Sequence, residues 1–195
     1  MKYYKPVDQI TDEERAALFP IVLQEHNPAW KDWYAKEKNI LTRLVGVGNI
    51  ARISHYGSTA VPGLLAKPTI DILLEITDGA NVDTLISNLE NAGYVCIKQP
   101  KVPCSPSPSL MFLKGYTPLG FAEKVYHIHV RYYGDWDELY FRDYLITHSD
   151  IAAEYAALKQ KLQKEYEYDR DGYTEAKGEF IKATTEKAKK ETEIA

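Results

Sequence analysis

The spacing of apolar and polar positions divides the chain into a front of mixed elements and a helical rear. Thr11-Asp12-Glu13-Glu14 fits a capping box, so a short helix is predicted to start there. Phe19 to Leu23 reads as a short strand. Asn27-Pro28 opens the next helix: Asn27 caps it, and Pro28 loses nothing because the first helical N–H has no partner. Trp30, Trp33, Tyr34, Ile40, Leu41, Leu44 and Val45 then recur three and four apart, one apolar face ending near Gly46 and Gly48. Ile50–Tyr56 reads as a strand, followed by a loop, Gly57 to Gly63, with two glycines and a proline. Thr69 to Ile76 is nearly all apolar and β-prone, as expected of a central strand covered on both faces, which makes its acids conspicuous. Val82, Leu85, Ile86 and Leu89 form a helical face that stops at Gly93.

Tyr94–Lys98 and Leu110–Lys114 read as strands, with a stiff loop of four prolines, Pro100 to Ser109, between them. Lys124 to Tyr133 alternates most clearly. Val125, His127, His129 and Arg131 share one face, and Tyr126, Ile128, Val130 and Tyr132 the other. Three helical stripes follow, over Trp136–Leu145, Ile151–Tyr166 and Tyr173–Thr184. The order predicts an α/β (α+β) fold, a mixed sheet flanked by helices with a C-terminal helical layer. Residues 1–18 read as a helical extension, 19–134 as the core and 135–195 as helices packed on it, one domain overall.

Composition narrows the function. A chain of 195 residues, 45% of them apolar, has enough material for one packed core. The formal net charge of −4 disfavours a long nucleic acid as partner, since such proteins usually carry a basic face. A small anionic ligand needs only a local cluster of cations. No apolar run reaches the roughly 18–20 residues that span a bilayer, so no membrane is expected. Met1 to Pro6 lacks an apolar signal core, and Cys96 and Cys104 have no Cys-x-x-Cys spacing. Cys96 reads as a buried strand thiol, and the chain is expected to be cytoplasmic.

Several residues can carry chemistry. A Gly57-Ser58 turn exposes backbone N–H groups and a hydroxyl, which suits phosphate oxygens, and Asp71 on the strand behind it is placed to hold a divalent metal. The same spacing also suits a tight turn before a core strand with one capped Asp. Glu75 points the same way as Asp71, but roughly 13–14 Å separates their Cα atoms, so Glu75 reads as a strand-end or surface carboxylate rather than a second ligand. His127 and His129, roughly 7 Å apart on one strand face, suit metal coordination or general base work, or one of them a structural role. His26, His55 and His148 read as structural or exposed. Lys67, Arg131, Arg142 and Lys177 are the cations near these elements; Arg142 can equally pair with Asp143.

The stretch from His55 through Gly57-Ser58-Thr59-Ala60-Val61-Pro62-Gly63 to Leu64, followed by Ala66-Lys67-Pro68-Thr69-Ile70-Asp71, resembles the signature of the GrpB family. The resemblance continues through Asn27-Pro28-Ala29-Trp30, His127-Ile128-His129-Val130, Phe141-Arg142-Asp143-Tyr144-Leu145 and Tyr173-Thr174-Glu175-Ala176-Lys177, over roughly residues 19–185. It implies a place in the nucleotidyltransferase superfamily, with a polymerase-β-like fold. The superfamily pattern is a Gly-Ser turn and then Asp-hydrophobic-Asp/Glu on a strand. Gly57-Ser58 and Asp71 match it, but Leu73 stands where the second acid belongs. Another metal ligand is then needed, with His127, His129 or Glu123 available.

What the resemblance implies is transfer of a nucleoside monophosphate from an NTP to a small-molecule or protein acceptor, with Mg2+ or another divalent metal. Gly57, Ser58 and Thr59 would meet the phosphates, with Lys67, Arg131, Arg142 and Lys177 neutralising charge. Asp71, His127 and His129 would be catalytic, with Asp71 and His129 on the metal. Two alternatives stand beside it: a degenerate protein that binds a nucleotide or phosphometabolite without turnover, motivated by Leu73, and an antitoxin-like interaction protein. The tyrosine-bearing C-terminal helices could also support a homodimer, although their stripes read first as core.

Overall fold

The computed structural model describes residues 11–98 and 109–194. A five-stranded mixed sheet runs in the order β1-β2-β5-β4-β3, built from β1 (Ile50–Tyr56), β2 (Thr69–Ile76), β3 (Val95–Lys98), β4 (Leu110–Thr117) and β5 (Gly120–Tyr132). The pairings are antiparallel except β2 with β5, which run parallel and place Asp71 opposite His127 and Leu73 opposite His129. On its other side β2 pairs with β1, setting Tyr56 beside Asp71 and Ser54 beside Leu73.

Strand parity sends the two faces to different fates. Ile70, Ile72, Leu74 and Ile76 of β2, with Tyr126, Ile128 and Val130 of β5, pack against Trp30, Leu41 and Val45 of α2 (Ala29–Val45) and Leu85 and Leu89 of α3 (Val82–Asn91). Burying each such side chain contributes about 1.5–3 kcal/mol relative to exposure. The opposite face carries Asp71, Leu73, His127 and His129. Beside it lie α4 (Asp137–Thr147), α5 (Ser149–Glu165), α6 (Arg170–Glu175) and α7 (Gly178–Ile194). These helices pack on the loop between β1 and β2, where Val61 and Leu64 meet Leu145, Phe141, Tyr155 and Ile181.

Local signals act as expected at several ends. Thr11 and Glu14 form the capping box of α1 (Asp12–Leu18). Asn27 Oδ1 accepts from the Ala29 N–H at 2.9 Å, and α2 ends at Gly46 with φ 86°. Two expectations are corrected. Phe19–Leu23 is not a strand: Ile21 donates to the Glu167 carbonyl at 2.7 Å and accepts from Gln163 Nε2 at 3.0 Å, so helical neighbours take its backbone, and only Gln24 makes an isolated bridge, to Ala66. The third C-terminal stripe is two helices, broken by a turn at Ala176-Lys177. Cys96 is half-buried, its neighbour Cys104 and the proline-rich stretch lie outside the described residues, and Tyr155 and Tyr173 are core residues. No helix among the described residues is long and apolar enough to cross a membrane.

Candidate functional site

Three elements bring the site together. β2 supplies Asp71, the parallel neighbour β5 supplies His127 and His129, and the loop after β1 passes directly over Asp71. Gly57 sits there with φ 72°, and a Cβ at that position would overlap Asp71 Oδ2 and lie 3.0 Å from the Asp71 Cβ and Cγ. Only glycine combines this left-handed backbone with so close an approach. The chain then turns through a short 3-10 helix, Ser58–Ala60, which presents the Ser58 side chain.

Asp71, His127 and His129 each offer one ligand atom within 4.8 Å of the others, the one such group of three among the described residues. His127 Nδ1 lies 3.4 Å from Asp71 Oδ1, and its Nε2 meets the Tyr116 hydroxyl at 2.7 Å. Tyr116 also accepts from Arg170 Nη2 at 2.9 Å. Its hydroxyl oxygen can therefore take the Nε2 proton when Nδ1 serves as a ligand, the outer-shell arrangement that orients metal-binding histidines. His129 Nδ1 is buried without a hydrogen-bond partner. An unpartnered buried nitrogen on a histidine that is grouped with a carboxylate and a second imidazole is the observation that fits a divalent cation here.

Charge reinforces the arrangement. Burial alone would raise Asp71, but the hydrogen bond from His127 and the positive fields of His127, His129 and Lys67 hold its carboxyl below the usual range. Burial pushes His129 down to about 4, so the imidazole is neutral and able to coordinate at neutral pH. Around this cup stand cations. Burial and the neighbouring Arg170 lower Lys67 to about 8, opposed by Asp71. Burial and repulsion from Lys67 lower Lys177 to about 7. Burial and repulsion from Lys177 and Lys67 likewise lower Lys159 to about 7. Lys159 Nζ donates to Ser58 Oγ at 3.1 Å and to the Leu65 carbonyl. Lys67 and Lys177 lie over the ring of the buried Tyr173, 5.4 and 4.1 Å from its centroid. Three lysines forced so close, with Asp71 the one carboxylate acting on Lys67 and Lys177 among the described residues, are what an anion with several negative oxygens would relieve.

The structure gathers Gly57, Ser58, Asp71, His127, His129, Lys67 and Lys177 into one region. The others are engaged by structural partners, although Arg131 stands near enough to act on His129. Thr59 is buried as a pin, bonding the Thr69 carbonyl at 3.1 Å and His55 Nε2 at 3.0 Å. Arg142 pairs with Asp143 through both ends of its guanidinium and donates to the His55 carbonyl at 2.8 Å. Arg131 pairs with Glu138 at 2.7 Å and stacks on Trp136. Glu123 is exposed and outside the cluster. Glu75 is not a ligand, and it is not a surface group either: fully buried, it is held by Arg52 and by the Gly134 N–H at 3.2 Å. Lys159, Arg170 and Tyr116 are the site residues that motif reading missed. Lys159 carried a usable signal, since it falls four residues after Tyr155 and three before Leu162, on the apolar stripe of α5.

Residues 20–187 match the family described as GrpB protein. A UPF0157 protein of Pseudomonas aeruginosa is 36% identical over 172 residues, 87% of this chain and 66% of that protein, so the chain spans slightly less than two thirds of it. Glutamate-rich protein GrpB of Alkalihalophilus pseudofirmus is 33% identical over 165 residues, 83% of this chain and 91% of that protein. The crystal structure of conserved protein GrpB from Enterococcus faecalis superposes with a TM-score of 0.74 at 29% identity, covering 88% of this chain and 99% of that one. A match running from the end of α1 into α7, on a shared mixed-sheet fold, means that this chain belongs to the GrpB family.

Proposed function

We propose that the chain is a metal-dependent nucleotidyltransferase, moving a nucleoside monophosphate from an NTP to a small-molecule or protein acceptor. One observation carries the reading: Asp71, His127 and His129 converge within 4.8 Å beneath the Gly57-Ser58 turn, and three crowded lysines flank them. Two imidazoles and one carboxylate suit manganese, iron, cobalt or zinc. Magnesium prefers an all-oxygen octahedral shell, so we place it behind those ions. Bound there, a divalent ion would neutralise phosphate charge and polarise the scissile P–O bond. The protein's own share is positioning. The Gly57-Ser58 turn receives phosphate oxygens, and Lys67, Lys177 and Arg170 hold the negative charge of the leaving phosphates.

The test is pyrophosphate release from each NTP with Mn2+, Co2+, Zn2+ or Mg2+. Release that needs metal and disappears in Asp71→Asn is the expected result. Leu73 supports a second reading, because it is 1% exposed and supplies no carboxylate beside His129. Nucleotide binding by calorimetry, undiminished without metal and with no pyrophosphate released under any ion, would move the conclusion to a nucleotide-binding protein.

A further inference from the structure

Beyond its place among the three lysines, Lys159 makes a direct contact with Ser58. Lys159 is 2% exposed and reaches from α5 into the loop after β1. Its nitrogen touches two groups, the Leu65 carbonyl and Ser58 Oγ at 3.1 Å. The Tyr155 hydroxyl, one helical turn earlier on α5, is a second partner of Ser58. Ser58 itself is half-buried at the surface of the loop, while Lys159 and Tyr155 behind it are buried. A neutral amine in this position would keep an N–H for the Leu65 carbonyl and offer its lone pair to the Ser58 proton. This is the arrangement of a hydroxyl nucleophile with an adjacent base, oriented by a third group.

We propose that Ser58 is a covalent nucleophile, with Lys159 as its base, and that it takes up the nucleoside monophosphate before the acceptor does. The inference rests on the transfer reading above and deepens it. Ser58 Oγ attacks the α-phosphorus of a nucleoside triphosphate, a new O–P bond forms, the bond to the bridging oxygen of the leaving pyrophosphate breaks, and the Ser58 proton passes to Lys159 Nζ. Lys67, Lys177 and Arg170 neutralise the pyrophosphate. In the second half an acceptor hydroxyl attacks the same phosphorus and releases its proton to solvent, Ser58 Oγ leaves, and Lys159 Nζ returns the stored proton to Ser58. The surrounding cations select a phosphate over an acyl electrophile, because a neutral carbonyl has no use for three positive groups beside its leaving group. The near-neutral range of Lys159 supports its role as base, set by burial and by the ammonium groups of Lys67 and Lys177, with Tyr155 and Tyr173 the other titratable groups close by.

The experiment is intact-mass measurement and peptide mapping of the purified protein after incubation with Mn2+ and each NTP, without acceptor. The expected result is one nucleoside monophosphate on Ser58, absent in Ser58→Ala. Its rate of formation should rise through neutral pH and fall about 100-fold or more in Lys159→Arg, which keeps the charge but cannot accept the proton. Metal-dependent pyrophosphate release that persists in Ser58→Ala, with no adduct on the wild type, would overturn the covalent step and leave the transfer reading standing. Neither release nor adduct would overturn both. A bare phosphoryl group on Ser58, or labelling of Ser58 by an activated acyl ester without any nucleotide adduct, would likewise overturn the inference. Because the wild-type adduct is read directly, the result does not depend on either variant folding.

Discussion

Replacing Lys159 with methionine should make the protein less dependent on pH, in a direction opposite to that of a lost salt bridge. The unfolded chain protonates Lys159 near its ordinary value of 10.5, whereas in the folded protein burial and the adjacent Lys177 and Lys67 lower it to about 7. Between those values the unfolded chain binds the extra proton, so the stability of the wild type rises with pH. The penalty of this single group is roughly 4 kcal/mol at pH 7 and about 2 kcal/mol at pH 9. Lys159→Met removes that penalty and loses the hydrogen bond to the Leu65 carbonyl, a cost of about 1–3 kcal/mol. The variant should match or exceed the wild type at pH 7 and lose about 2 kcal/mol relative to it by pH 9. In thermal melts that is a change of about 4–8 °C in the difference between the two proteins. A difference that stays constant from pH 7 to pH 9 would refute the reasoning, since it would mean that Lys159 keeps its proton in the folded state.

Gly57→Ala should lose about 1–2 kcal/mol from its φ of 72°, and should also displace the Asp71 carboxylate it overlaps; melts with and without Mn2+ should then show a lower Tm and little metal-dependent gain. In the wild type, Mn2+ at about 100 times its Kd should add about 2.7 kcal/mol of stability, a gain lost in His129→Ala and read by the same melts. Leu73→Asp should be destabilised by several kcal/mol in the absence of metal, because the site holding Leu73 is 1% exposed, and should regain stability with Mg2+ if a second carboxylate completes an oxygen-rich site. Arg52→Met strands the buried Glu75 carboxylate and should cost about 3–5 kcal/mol in chemical denaturation, with Mn2+ affinity in calorimetry unchanged.

Strand boundaries were legible wherever an apolar run met strong punctuation. β1 and β2 match their expected spans, because Gly57 ends one and the apolar run with its buried acids defines the other. Phe19–Leu23 reads as a strand because an extended apolar segment looks the same whether its backbone partners lie on a strand or, as here, on α5 and the turn after it. The Asp71–His127–His129 cluster is legible because each of the three lies on a strong strand pattern, with parity that sends them to one face. The lysine wall was only partly legible. Lys67 and Lys177 stood near recognisable motifs, but Lys159 lies between apolar neighbours on a long amphipathic helix, where a lysine ordinarily snorkels to solvent. Arg142 shows the converse, a motif residue whose guanidinium is spent on its own neighbour.

The buried Glu75 carries a consequence for assembly. A one-residue slip of β2 would turn its apolar face to the wrong side, and the hydrophobic core forbids that. A two-residue slip would keep every face correct yet leave Asp71 opposite Val125 or His129 instead of His127, so core packing alone is a poor guard of the Asp71–His127–His129 cluster. Glu75 measures the sheet in both directions at once, to Arg52 on one neighbouring strand and to Gly134 just beyond the end of the other. An even-numbered slip leaves that carboxylate without partners in a dry interior. The far end of the strand thus acts as a ruler for the near end, making a buried carboxylate outside the cluster the checkpoint for its alignment.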